Sequence, residues 1–212
     1  MNTNEYFADI AGRWDQMRQG FFSEEVRGAA FKAAGINSDA ILTTAADIGA
    51  GTGFMTEGLV AVGIEVIAVD PVQEMLDILA RKPYAVHGVE CRLGGAENIP
   101  IGDASVEFAF ANMSLHHVEH PAAAITEMCR ILKPGGRLVI TDMDSHANED
   151  LRRAHNDRWM GFERSQILDW FRDAGLVSAQ ISGVGACCGG GASQMTIDGS
   201  GIGIFVASCS RP

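Results

Sequence analysis

The chain has 212 residues, of which 47% are hydrophobic and 20% are charged, and its formal net charge is −11. This composition is ordinary for a globular protein and provides enough apolar residues for one sizeable core. Because a surface this acidic repels phosphate backbones and anionic lipids, neither nucleic acid nor a membrane surface is expected as a partner. No stretch approaches about 20 apolar residues, and no membrane-spanning helix is predicted.

The N-terminal residues lack a basic region followed by an apolar run, which is the pattern of a secretory signal. A cytoplasmic location is therefore expected, where thiols stay reduced. The number of cysteines is odd, and two of the five are adjacent, which argues against a disulfide framework.

Helical spacing dominates the beginning of the chain. Tyr6, Phe7, Ile10 and Trp14 lie three or four residues apart and form one apolar stripe. A second helix is predicted to begin after Ser23 and to end near residue 35. We interpret residues 1–40 as an N-terminal helical cover on residues 41–212, the two together forming one domain.

Strands and helices alternate through the middle of the chain. Strands are predicted at 45–48, 65–69, 89–93, 106–111 and 137–141, with helices at 54–62, 72–80 and 121–132 and a sharp turn at 133–136. This alternation is typical of a parallel sheet with right-handed crossovers.

The last third of the chain predicts a different connection. A helix at 164–174 and a strand at 177–184 precede a glycine-rich loop at 185–201, and a final strand follows at 202–208. The two strands should close the sheet as an antiparallel hairpin. The predicted fold class is therefore α/β: a Rossmann-like three-layer sandwich with a seven-stranded, mostly parallel sheet and an antiparallel last strand.

A glycine-rich turn joins the first predicted strand to its helix, with the sequence A-D-I-G-A-G-T-G at 46–53. Its glycines allow a tight bend and a close approach of the backbone to a ligand. The helix that follows presents free N–H groups and a positive dipole end, which favour a carboxylate or a phosphate.

An acidic residue, Asp70, ends the second predicted strand, 21 positions after Gly49. A carboxylate at this place suits two hydrogen bonds to a ribose diol, which indicates an adenosine-like ligand. The dinucleotide fingerprint G-x-G-x-x-G is not met, because Phe54 stands where the third glycine would be. The spacing therefore disfavours an NAD-dependent oxidoreductase.

Five segments within residues 47–142 resemble class I S-adenosylmethionine-dependent methyltransferases, and most of all their ubiquinone/menaquinone-biosynthesis-like branch. In order, they read D-I-G-A-G-T-G, V-D-P-V-Q-E-M-L, G-A-E-N-I-P, N-M-S-L-H-H-V and R-I-L-K-P-G-G-R-L-V-I-T-D. The resemblance covers nearly half of the chain. It departs from many relatives at Gly95, where they carry an aspartate.

The resemblance implies S-adenosylmethionine as the cofactor and S-adenosylhomocysteine as its product. It places the methionine part at the turn, the ribose at Asp70, the adenine between two loops and the methyl-donating end after the fourth strand. It also implies that the N-terminal helix forms a lid whose aromatic residues pack over the cofactor. The implied contacts are Asp47, Gly49, Ala50, Gly51, Thr52, Gly53, Asp70, Pro71, Val72, Met75, Ala96, Glu97, Asn112 and Met113, with Tyr6 and Trp14 from the lid.

The expected reaction is methyl transfer to a small-molecule acceptor by in-line displacement, in a monomer or homodimer. Alignment of the acceptor can supply most of the catalysis, so His116 and His117 are candidate general bases rather than required ones. The acceptor pocket is expected between the N-terminal helices, the loop after residue 112, residues 142–159 and the glycine-rich loop.

Other functions remain open at this point. One is a cofactor-binding pseudo-enzyme or regulator that keeps the fold without turnover. Another is an arsenite-type methyltransferase, in which Cys187 and Cys188 would bind a soft ion. Because no further thiols can be placed beside these two, no metal site is assigned.

Overall fold

The computed structural model describes residues 2–19, 23–36, 43–86, 88–188 and 201–212. The helices are α1 (Thr3–Arg18), α2 (Glu24–Ala34), α3 (Phe54–Ala61), α4 (Gln73–Ala80), α5 (Pro121–Ile131), α6 (Glu149–His155) and α7 (Arg164–Asp173). The strands are β1 (Thr44–Ile48), β2 (Glu65–Asp70), β3 (Val89–Leu93), β4 (Val106–Asn112), β5 (Leu132–Met143), β6 (Val177–Cys188) and β7 (Ile202–Ser210). None of the helices described here combines the length and apolarity that crossing a bilayer requires.

The strands form one seven-stranded sheet in the order β3-β2-β1-β4-β5-β7-β6. Strands β1 to β5 pair in parallel, whereas β7 runs antiparallel to both β5 and β6. The predicted sheet and its antiparallel last strand are confirmed. The strand order reverses beside β1, and ligands of such sheets bind at the carboxyl ends of the strands on either side of this point.

Alternate residues of each central strand face opposite layers of helices. Phe110 of β4 and Val139 of β5 pack with Met55 and Leu59 of α3 on one face. Their neighbours in β4 and β5 pack with α5 and α7 on the other face, where Ile125 is fully buried. Because successive side chains of a strand point to opposite faces, each face of the sheet binds its own layer of helices, and the predicted three layers result.

The two N-terminal helices occupy different places. Helix α1 begins with a capping box between Asn2 and Glu5, and its Ile10 packs against Val72 and Met75 at the start of α4. Helix α2 ends at Gly35, which has a left-handed φ of 71°, and it contacts β5 and β7. Helix α1 therefore borders the carboxyl end of the sheet, where a lid was predicted, and Val26 of α2 packs against Phe54 and Met113 near the same end.

Two predicted boundaries are wrong for reasons of strand pairing. Residues 133–136, predicted as a turn, belong to β5, because Leu132 already pairs with Val106 and a register shift absorbs the extra residues. Residues 185–188, predicted as loop, continue β6, because Cys187 and Cys188 pair with the first residues of β7. The remainder of the predicted glycine-rich loop, 189–200, lies outside the described residues.

Candidate functional site

A cavity of about 340 Å³ opens at the carboxyl ends of β1, β2 and β4 and is bounded by α1. Segments that are far apart in sequence meet there: the glycine turn, the end of β2, the loops after β3 and β4, and α1. Most of the predicted contacts line it, namely Trp14, Asp47, Gly49, Ala50, Gly51, Asp70, Pro71, Val72, Met75, Ala96, Glu97, Asn112 and Met113, together with His117. Tyr6, Thr52, Gly53 and His116 are predicted site residues that do not line it.

The glycine turn has the left-handed backbone that the sequence predicts. Gly49, Gly51 and Gly53 have φ values of 71°, 54° and 91°, which side chains with a Cβ rarely adopt. A Cβ on Gly49 would lie 2.5 Å from the Cβ of Ser114, and one on Gly51 would lie 3.5 Å from the Trp14 Nε1 atom. Gly49 is therefore required by its neighbour as well as by its backbone conformation, whereas Gly51 is required by its backbone conformation alone, since 3.5 Å is an ordinary contact distance.

Gly53 and Thr52 do not line the cavity but support the turn, and their predicted contact with the cofactor stays a prediction. A Cβ on Gly53 would lie 2.6 Å from the Tyr84 hydroxyl oxygen. The Thr52 hydroxyl donates a 2.6 Å hydrogen bond to the Asp15 carboxylate. Since Asp15 belongs to α1, this bond ties the glycine turn to the N-terminal helix.

Asp70 is held at the end of β2 by the backbone on both sides. Its Oδ2 atom accepts a hydrogen bond of 2.8 Å from the Gly51 N–H, and its Oδ1 atom accepts one of 2.9 Å from the Val72 N–H. Each carboxylate oxygen retains acceptor capacity, so the group can still bind a diol. Burial raises the pKa of Asp70 to about 6, although both backbone bonds act in the opposite direction.

Asp47 caps the following helix and also borders the cavity. Its Oδ2 atom accepts hydrogen bonds from the Thr56 N–H at 3.0 Å and from the Thr56 hydroxyl at 2.6 Å. Burial raises the pKa of Asp47 to about 6 as well, and the nearby charge of Asp70 contributes to this rise. The structural and the ligand-binding interpretations of Asp47 are thus compatible.

The loops after β3 and β4 complete the rim. The Glu97 carboxylate accepts a 2.7 Å hydrogen bond from the His120 N–H, which ties one loop to the start of α5. The Asn112 side-chain oxygen accepts a 2.7 Å hydrogen bond from the Thr141 hydroxyl. Met113, which follows, has a positive φ of 51° that is unusual for a residue other than glycine. Such strain is often found where a chain lines a functional site.

The wall contributed by α1 is aromatic. Phe7 and Trp14 line the cavity, and their ring centroids are 5.4 Å apart in an edge-to-face arrangement. The Tyr6 hydroxyl instead donates a 3.1 Å hydrogen bond to the Ala154 carbonyl oxygen. Tyr6 does not line the cavity, and its contact with the cofactor stays a prediction. Phe7 was missed as a site residue, although it belongs to the same sequence stripe.

The glycine turn, Asp70 and the rim loops lie in a segment that matches a known protein family. Residues 46–140 match the family model described as a methyltransferase domain. The matched segment contains the glycine turn, Asp70 and both rim loops. The match supports the prediction of a class I S-adenosylmethionine-dependent methyltransferase.

Similar proteins support the same class. An uncharacterised methyltransferase of Mycobacterium bovis is 50% identical over 93 residues, which cover 43% of this chain and 36% of that protein. A demethylmenaquinone methyltransferase of Clavibacter sepedonicus is 32% identical over 110 residues, covering 52% of this chain and 45% of that protein. The matched part thus spans less than half the length of either relative.

The fold also resembles that of a solved structure. The crystal structure of an S-adenosylmethionine-dependent methyltransferase from Aquifex aeolicus has a TM-score of 0.72 with 18% identity. The similarity covers 97% of this chain and 98% of that chain. At this identity the comparison supports the Rossmann-like fold of the chain and nothing finer.

The two candidate bases have different environments. His117 lines the cavity, and its ring lies edge-to-face with Phe7 at a centroid distance of 4.8 Å. His116 lies behind it, with its Nδ1 atom 2.7 Å from the Asp142 Oδ1 atom. His116 does not line the cavity, and its role as a candidate base stays a prediction.

The same environments move the pKa values of the two histidines apart. Burial alone would lower the pKa of His116, but the Asp142 carboxylate outweighs it and raises the pKa. Burial lowers the pKa of His117 well below its ordinary value, and the charge of His116 adds to the effect.

Two acidic residues of this region were not named as site residues from sequence. Asp142 ends β5, and Asp157 follows α6; both are buried. Burial raises the pKa of Asp157 to about 6. The predicted acceptor region, 142–159, includes both, but no local pattern indicates that they meet the histidines of another loop.

Proposed function

We propose that this protein transfers the methyl group of S-adenosylmethionine to a small-molecule acceptor. The observation that carries the proposal is the buried Asp70 carboxylate, fixed beside the glycine turn at the cavity of a matched methyltransferase domain. The cavity of about 340 Å³ is within the usual size range of small-ligand sites.

The residues present fit this cofactor. Asp70 would accept hydrogen bonds from both ribose hydroxyls, and the turn at Gly49 and Gly51 would leave room for the methionine part. Met75 and Ala96 would flank the adenine, with Glu97 at its edge. Asn112 and Met113 would border the methyl-donating end.

Catalysis is proposed to depend mainly on positioning. When bound, the cofactor supplies a methyl group on an already activated sulfonium. The chain's own task is to exclude water with Phe7 and Trp14 and to hold the acceptor in line. Of the two candidate histidines only His117 lines the cavity, so His117 is the residue we assign as base for acceptors that must lose a proton.

The acceptor class follows from surface charge and similarity. A net charge of −11 favours a small molecule over nucleic acid. The similarity to a demethylmenaquinone methyltransferase supports a quinone-like aromatic acceptor as the first class to test. A cytoplasmic monomer or homodimer remains our prediction for the intact protein.

A thermal-shift panel tests the cofactor directly, because a ligand that binds the native state raises the apparent stability. We expect S-adenosylmethionine and S-adenosylhomocysteine to raise the melting temperature, and NAD and NADP to leave it unchanged. A shift with NAD alone would favour the oxidoreductase alternative.

Turnover is tested separately with a panel of quinone, hydroxyl, amine and thiol acceptors, with arsenite included. Binding of S-adenosylmethionine without turnover of any of these acceptors would favour the pseudo-enzyme.

The lid hypothesis is tested by replacing Trp14 with alanine. An aromatic pair typically contributes about 0.5–1.5 kcal/mol beyond its area burial, so we expect the affinity for S-adenosylhomocysteine to fall roughly 2- to 12-fold. Tyr6→Phe is the matched control, since it removes only a hydroxyl that points to Ala154. Titration calorimetry would measure both variants. Equal effects of the two substitutions would contradict a specific role for Trp14.

A further inference from the structure

Two histidines and an aspartate converge behind the cavity wall. The His116 Nε2 atom and the His117 Nδ1 atom each lie 3.7 Å from the Asp157 Oδ1 atom. The three ligand-type atoms lie within 4.8 Å of one another. The Asp157 and His116 side chains are 2% and 6% exposed, and that of His117 is 14% exposed.

Asp142 orients the first of these ligands. Its Oδ1 atom lies 2.7 Å from the His116 Nδ1 atom and also accepts a 2.7 Å hydrogen bond from the Met143 N–H. A proton held on Nδ1 by this carboxylate leaves the Nε2 lone pair directed at Asp157. A carboxylate behind a histidine is the usual way in which proteins orient an imidazole toward a metal ion.

Two buried atoms of this cluster lack a hydrogen-bond donor. Within the described ranges, neither the Asp157 Oδ1 atom nor the His117 Nδ1 atom has a hydrogen-bond partner, although both are buried. The separation of 3.7 Å is too long for a hydrogen bond. Buried polar atoms are normally satisfied, so an unpaired group of this kind indicates a missing cation, proton or water.

We propose that His116, His117 and Asp157 bind a divalent transition-metal ion, of which zinc is the best match. Two imidazole nitrogens and one carboxylate oxygen form a donor set that Zn²⁺ accepts, with a fourth position left open. Tetrahedral bonds of about 2.0–2.1 Å place ligand atoms about 3.4 Å apart. The two separations of 3.7 Å to the Asp157 Oδ1 atom would need to contract by about 0.3 Å, and the two imidazole nitrogens, which lie within 4.8 Å of each other, would need to reach the same spacing.

The surroundings provide charge and access for such an ion. Asp142 and Asp157 bring two carboxylates, and Arg152 is a cation that acts on Asp157. His117 belongs to the cavity wall, so the cavity offers a route for entry. The site goes beyond the proposed methyl transfer, and in the metal-bound state His117 would be a ligand instead of a base.

Metal binding can be measured without any methyl-transfer assay. The intact chain without a polyhistidine tag is titrated with Zn²⁺ against a chromophoric chelator, and with Co²⁺ by absorption spectroscopy. We expect one equivalent of Zn²⁺ at micromolar affinity or tighter, and a Co²⁺ spectrum without thiolate charge-transfer bands. Asp157→Asn should weaken binding at least 100-fold, and Asp142→Asn should weaken it about 10- to 100-fold.

Two controls separate this site from other donors. His120→Gln removes an exposed histidine outside the cluster, and the pair Cys187→Ser/Cys188→Ser removes the adjacent thiols; both proteins should bind zinc like the parent. Nitrogen-15 NMR of the parent's imidazoles gives a readout that needs no variant, since the His116 and His117 signals should shift on addition of Zn²⁺. Absence of stoichiometric uptake, uptake that Asp157→Asn retains, or a His116 imidazolium that persists at saturating Zn²⁺ would overturn the proposal.

Discussion

Replacing Asp70 with alanine is expected to weaken the binding of S-adenosylhomocysteine at least about 100-fold, the largest effect of any change to the proposed cofactor site. The variant loses two hydrogen bonds to a charged acceptor, each typically contributing about 1.5–3 kcal/mol. It also frees the Gly51 N–H, which Asp70 binds at 2.8 Å, so the glycine turn loses part of its support. Titration calorimetry would measure the change.

Glu74→Ala is the matched control for Asp70→Ala. It removes one carboxylate from the exposed side of α4, a few residues away, and leaves the cavity unchanged. The control should bind S-adenosylhomocysteine like the parent. If Asp70→Ala kept the parental affinity, the assignment of the ribose site would be wrong.

The raised pKa of Asp70 adds a pH dependence to the same experiment. In the free protein a proton on Asp70 favours the folded state: this stabilisation is complete below the ordinary value of 3.8 and is lost as the pH rises through about 6. Ribose hydroxyls donate to the ionised form, so affinity should fall by about tenfold per pH unit below 6 and level off above it. Affinity that stays constant from pH 5 to pH 7 would contradict this coupling.

Gly49→Ala should cause the second large effect, a loss of both stability and cofactor binding. The substitution places a Cβ at a φ of 71°, 2.5 Å from the Ser114 Cβ atom. Left-handed strain costs about 1–2 kcal/mol, and overlap in a packed region adds about 1–3 kcal/mol. Urea unfolding should therefore show a lower midpoint with an unchanged slope.

Gly63→Ala separates the cost of backbone strain from the cost of overlap with Ser114 in the expected loss of stability. Gly63 has a comparable φ of 86°, but a Cβ there would meet no atom within 4 Å. This variant should show the backbone strain alone and keep its affinity for S-adenosylhomocysteine. The double substitution Gly49→Ala/Ser114→Gly removes the overlapping atoms and should recover toward the stability of Gly63→Ala. If Gly49→Ala is no more destabilising than Gly63→Ala, the close approach of Ser114 has no energetic importance.

The sequence by itself determined the sheet and the core of the candidate cofactor site. Apolar residues recur every second position in the strands and every three or four positions in the helices. Strands and helices of these two kinds alternate along the chain, and this alternation predicts a parallel sheet covered by helices. The glycine turn and Asp70 could be placed because both follow directly from strand ends, where local chemistry decides the backbone. Most of the residues named from these motifs line the cavity.

Tertiary structure alone decided which side chains meet across distant segments. Tyr6 and Phe7 are neighbours in one stripe, yet only Phe7 lines the cavity, because the packing of α1 on α4 fixes its rotation. Thr52 is committed to Asp15, 37 residues away. The convergence of His116 and His117 with Asp157 depends on how the segment after α6 folds against the loop after β4. No periodicity or spacing encodes such a contact, because it arises only when separate elements are packed together.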